Sequence, residues 1–205
     1  MNNKDQVLSQ LEDLDIILFK GENYFYSYVV EYFTWSNFSH IGIVLKAPTY
    51  ISPELTGIYL LESGAESTPD CEDHKIKFGV QLTDLNTLLD SYTGRIYYRK
   101  LQCKIRDPAT DLHQKILSVH KEIYDKPYDD KFFDLLRAAV DVEIGDCQSI
   151  KAFFCSALVA FIYTKLGLLP ATTDWSIVQP KYFGPKQTIE KTLIDSSFKE
   201  LVQIK

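Results

Sequence analysis

Cysteine is scarce in this chain and never paired by spacing. Cys71, Cys103, Cys147 and Cys155 form no Cys-x-x-Cys, so the usual paired-cysteine motifs are missing. Positive charge is in deficit, with 22 Lys and Arg against 28 Asp and Glu and a net charge of −6. No basic cluster stands out, which argues against nucleic acid as a partner. There is no apolar run long enough to span a bilayer. The opening Met1-Asn2-Asn3-Lys4-Asp5 carries no apolar signal region. No glycine-rich phosphate loop supports nucleotide binding. Repeats, low-complexity tracts and linkers are also missing. The expectation is a cytoplasmic protein with free thiols in a reducing compartment. Surface contact with lipid remains compatible with these facts, and they leave the oligomeric state open.

Apolar residues are plentiful. Of 205 residues, 45% are hydrophobic and 13% aromatic, enough to bury a sizeable core. Residues 6–14 read as a short helix or lead-in. Asp15-Ile16-Ile17-Leu18-Phe19 reads as a buried strand. Phe25, Tyr28, Val29, Tyr32 and Phe33 repeat at helical spacing. His40-Ile41-Gly42-Ile43-Val44-Leu45, Ile58-Tyr59-Leu60-Leu61-Glu62-Ser63, residues 78–82 and residues 94–101 read as strands. Thr83 is placed to cap a short helix through Leu89. Leu112, Ile116, Val119 and Ile123 form a helical stripe behind Pro108. Residues 132–140 read as helix, and residues 198–204 as a strand or short helix. Consecutive strands with helices set around them predict one α+β domain over residues 1–205, with a mainly antiparallel sheet packed by helices.

One helix differs from the others. Leu158, Val159, Phe161, Ile162, Leu166 and Leu169 leave it almost no polar face, so it is expected to be buried and central. Gly167 and Pro170 supply the stop. Cys155 opens it, where the free N–H groups and positive helix end favour a thiolate. A small buried hydrophobe is the commoner role of a free cysteine. A nucleophile would need a base within hydrogen-bond reach and an acceptor to orient that base. His40 at the start of one strand and Glu62 at the end of another have the right chemistry. Each also has a plainer reading: His40 as a half-buried strand-end histidine, and Glu62 as a solvated charge with Glu66 nearby. His113 and His120, seven apart on a helix, read as solvated rather than metal-binding. Asp70-Cys71-Glu72-Asp73-His74 reads as a polar loop.

Four stretches carry a family likeness: Asp15-Ile16-Ile17-Leu18-Phe19, Phe38-Ser39-His40-Ile41-Gly42-Ile43-Val44, Leu60-Leu61-Glu62, and Phe154-Cys155-Ser156-Ala157-Leu158-Val159. In this order, with His before Cys, they resemble the circularly permuted papain-like family of NlpC type. That group includes the bacterial YiiX-like proteins, related viral proteins and, more distantly, lecithin retinol acyltransferase-like enzymes. The resemblance spans roughly residues 15–169, with a looser match at 175–183. It implies a permuted papain-like fold whose buried helix carries the cysteine. By the same likeness Cys155 is the nucleophile, His40 the general base, and Glu62 the residue that orients the imidazole. Tyr128, in Lys126-Pro127-Tyr128-Asp129, resembles a family "PYD" segment that lines the site or tunes its electrostatics; a packing tyrosine is the alternative. The family's "GD" turn has Gly where this chain has Leu14.

The implied activity is a cysteine-dependent hydrolase or acyltransferase. It would cleave an amide or ester of a peptide or acyl-lipid through a thioester, with no metal or other cofactor. A binding or interaction protein that keeps the fold and its groove is the alternative.

Overall fold

Burial on both sides explains why the strands read as unbroken apolar runs instead of alternating ones. The computed structural model describes residues 3–21, 38–64, 68–127 and 154–205. Helix α1 (Asn3–Gln10) leads into β1 (Ile16–Gly21), β2 (His40–Lys46), β3 (Ile58–Gly64) and β4 (Gly79–Asp84). Helix α2 (Leu85–Ser91), β5 (Gly94–Arg99) and β6 (Leu101–Cys103) follow. Helix α3 (Leu112–Ile123) precedes α4 (Cys155–Lys165), α5 (Thr188–Thr192), β7 (Ser196–Phe198) and β8 (Val202–Gln203). Among the described residues, six strands form one sheet in the order β4-β3-β2-β1-β5-β8, and β6 pairs with β7. Every pairing in both sheets is antiparallel.

Alternate residues of each strand serve different cores, as a period of two requires. Ile16, Leu18, Ile41, Ile43, Leu45, Leu61, Val80 and Leu82 join α4 in the larger cluster. Ile17, Phe19, Val44 and Leu60 join residues of α1 and α2 in the second. The architecture is therefore α+β, a mainly antiparallel sheet packed by helices, as the sequence predicts. No helix among the described residues is long and apolar enough to cross a membrane.

Helix α4 is buried from Cys155 through Tyr163, matching its lack of a polar face. Its end is a Schellman motif. Gly167 takes φ +74°, Leu168 N–H donates to the Tyr163 carbonyl at 2.8 Å and Gly167 N–H to that of Thr164 at 3.1 Å. The Tyr163 hydroxyl donates to the Leu14 carbonyl at 2.7 Å, fastening the helix to the turn before β1. Leu14 itself has φ +70°, in the left-handed region that glycine adopts freely and leucine does not. Next to it, Asp15 is fully buried and accepts hydrogen bonds from Leu101 N–H at 2.9 Å and Arg106 Nη2 at 2.6 Å. Burial pushes its carboxyl pKa up, and the Arg106 charge only partly offsets this.

Two expectations change and three fall outside the described residues. Thr83 does not cap α2. It is the fifth residue of β4, and Asp84 caps the helix by accepting from Thr87 N–H. His120 is buried rather than solvated, because it lies beside Ile116, Val119 and Ile123 on the inward stripe of α3. The helical readings at residues 25–33 and 132–140, and Tyr128, lie outside the described residues.

Candidate active site

The sheet register sets up the polar centre. His40 is the first residue of β2 and sits at the rim of the sheet, opposite Phe19 in the pairing with β1. Ile43 is opposite Leu61, and Glu62 is opposite Gln81. Continuing that ladder puts His40 and Glu62 on one face as diagonal neighbours, within reach of long side chains. His40 Nε2 and Glu62 Oε2 are 2.6 Å apart. The imidazole is 22% exposed, whereas the Glu62 side chain is wholly buried. The Phe19 ring lies 5.4 Å from the imidazole and covers it from β1.

Cys155 is the first residue of α4 and is buried. Its helix starts after Phe154, whose apolar side chain makes no capping hydrogen bond, so the positive helix end faces the thiol. Ser156 Oγ donates to the Val178 carbonyl at 2.7 Å and ties the segment after α4 to the start of the helix. Cys155 is close enough to His40 to act on its pKa through a hydrogen bond. Nε2 is engaged with Glu62, so Nδ1 is the ring nitrogen left for another partner. The structure thus brings Cys155, His40 and Glu62 together.

The electrostatics favour a charged imidazole. Burial alone would lower the His40 pKa. The hydrogen bond and negative charge of Cys155, followed by those of Glu62, outweigh burial and hold it well above its ordinary value. Cys71 and Cys103 are half-buried free thiols, and burial raises the pKa of both.

Sequence reasoning misses the residues behind Glu62. Thr83 Oγ1 donates to Glu62 Oε1 at 2.5 Å, and Gln81 Nε2 reaches Thr83 Oγ1 at 3.4 Å. The available signal was the strand register, which places residues 62, 81 and 83 side by side. A threonine directly before Asp84 and a helix invites the capping reading instead. The three aligned side chains do not surround a common point. Glu62 gives one oxygen to His40 and the other to Thr83. No group of three His, Cys, Asp or Glu among the described residues is arranged to hold a metal ion.

The mainly antiparallel sheet packed by helices is a YiiX-like fold. The protein that carries that name, the metalloprotein YiiX from Escherichia coli O157:H7, superposes with a TM-score of 0.51 at 16% sequence identity. The match covers 95% of this chain and 96% of that one. At this identity the likeness is one of fold. No family model matches the chain, and no curated protein matches its sequence.

Proposed function

We propose that this chain is a cysteine-dependent hydrolase or acyltransferase on a permuted papain-like fold, acting on an amide or ester of a peptide or acyl-lipid. The observation that carries the reading is the Cys155–His40–Glu62 grouping, in which Cys155 and Glu62 outweigh burial and hold the His40 pKa well above its ordinary value. The Cys155 thiolate attacks the substrate carbonyl carbon, and the carbonyl electrons move to oxygen. The Cys155 backbone N–H, at the helix start, stabilises that oxyanion. Collapse of the intermediate expels the amine or alcohol, which takes its proton from His40. A thioester remains on Cys155. His40 then takes a proton from water or another acceptor, which attacks the thioester and releases the acyl group. Glu62 keeps the imidazole in orientation throughout.

The metal of YiiX is not carried over to this chain. Glu62 already divides its oxygens between His40 and Thr83, and among the described residues no three His, Cys, Asp or Glu donors converge. Free thiols at Cys71, Cys103 and Cys155 suit work in a reducing, cytoplasmic setting.

The test is iodoacetamide alkylation of each cysteine in the folded protein from about pH 5 to about pH 9, for the parent and for His40→Ala. Cys155 is expected to react well below the thiol reference of about 8.5, and His40→Ala to remove that reactivity. A Cys155 no faster than Cys71 and Cys103, and indifferent to His40, would turn the site into a binding groove.

A further inference from the structure

A carboxylate with no exposed surface needs a donor on each oxygen to stay charged. Glu62 has them: His40 Nε2 on Oε2 at 2.6 Å and the Thr83 hydroxyl on Oε1 at 2.5 Å. A threonine hydroxyl has one hydrogen to give. Gln81 Nε2, 3.4 Å from the same oxygen, approaches as a donor. It occupies the accepting side of the hydroxyl and leaves the hydrogen for Glu62. Gln81 Oε1 is buried with no partner, so the amide end alone orients this carboxamide. Gln81 and Thr83 are 2% and 6% exposed, so water offers little substitute. The row runs from Gln81 and Thr83 on β4, through Glu62 on β3, to His40 on β2. On β4, Gln81 donates to Thr83 and Thr83 donates to the carboxylate.

We infer that Thr83 is a positioning residue of this site, its hydroxyl steered by Gln81 and holding Glu62 in place as the charged partner of His40. The inference rests on the cysteine-hydrolase reading above. Among the described residues, the titratable groups on His40 are Cys155 from α4 and Glu62 from β3. The Phe19 ring from β1 is its uncharged neighbour. Loss of the Thr83 hydroxyl leaves Glu62 Oε1 bare, weakens its hold on the imidazolium, and returns the shared proton to sulfur.

Thr83→Val keeps the shape and removes the hydroxyl; Thr83→Ser keeps the hydroxyl. Cys155 alkylation in Thr83→Val is expected to fall about tenfold near pH 6, one pKa unit's worth. Near pH 9 the thiolate forms unaided, and the rate there should stay within about twofold of the parent. Thr83→Ser should restore the acid-side rate. An equal drop at both pH values would mark Thr83 as merely structural, and no drop would show that Glu62 does without it; either overturns the inference. If Thr83→Val does not fold, Gln81→Leu serves instead, with a smaller acid-side drop expected and its absence counting against us. If the parent itself has no His40-dependent reactivity near pH 6, the hydrolase reading falls and takes this inference with it. If the parent has it and Thr83→Val keeps it, only the role of Thr83 is lost.

Discussion

Among the described residues two histidine–glutamate pairs stand out, and their surroundings differ. His40 Nε2 lies 2.6 Å from Glu62 and His120 Nε2 lies 2.8 Å from Glu72. Both are within hydrogen-bond range. The difference is at the other ring nitrogen. His40 has Cys155 as a neighbour and is 22% exposed. His120 Nδ1 is buried with no partner among the described residues, and the ring abuts Tyr124. Around it, Lys77 pairs with Asp70 at 2.8 Å and Asp73 at 2.9 Å, and the Tyr124 hydroxyl donates to Asp73. That second cluster pins the turn before β4 to α3. An imidazole beside a carboxylate is thus a common structural fastener. The neighbouring thiol is what sets His40 apart, and the proposed chemistry rests on it.

Matched substitutions separate the two pairs. Glu62→Gln preserves volume and removes the charge, and is expected to cost Cys155 about a hundredfold in alkylation rate near pH 6. Glu72→Gln should leave that rate unchanged, and a similar loss in both would erase the distinction. On stability the weights reverse. His120→Phe keeps a ring but strands Glu72, at a cost of about 1–3 kcal/mol in denaturant unfolding, with Cys155 reactivity intact. The smallest effect concerns pH. The raised pKa of His40 means that its proton stabilises the fold. That contribution is complete below about pH 6.5, its unfolded value, and disappears as pH climbs through the higher folded value. The parent Tm should therefore decline on the alkaline side more steeply than that of His40→Ala. Parallel Tm curves for the two proteins would contradict the assignment.

Much of this was legible in the chain. Apolar runs marked β1 to β5, and the stripe without a polar face marked α4 as central. His40, Glu62 and Cys155 drew attention because each is a polar group at the end of an apolar element. The strand order was not legible, since β1 pairs with β5 across some eighty residues (Ile16 with Arg99, for example), and local pattern carries no pairing information. Thr83 was misread because its local signal, a hydroxyl just before a helix, matches a cap, while its partner is 21 residues away. His120 was misread because histidine counts as polar in a helical stripe, although its position faces the core. The likeness to YiiX extends to the fold. The roles proposed for Cys155, His40 and Glu62 rest on the local geometry.

Leu14 sets two costs against each other at one position. Its left-handed backbone costs on the order of 1–3 kcal/mol for a residue other than glycine. Its side chain, however, is fully buried in the core that α4 shares, and truncating a core leucine costs about 2–5 kcal/mol. Glycine there would relieve the backbone and leave a cavity. The turn before β1 is thus a compromise in which the side chain subsidises the strain of its own backbone.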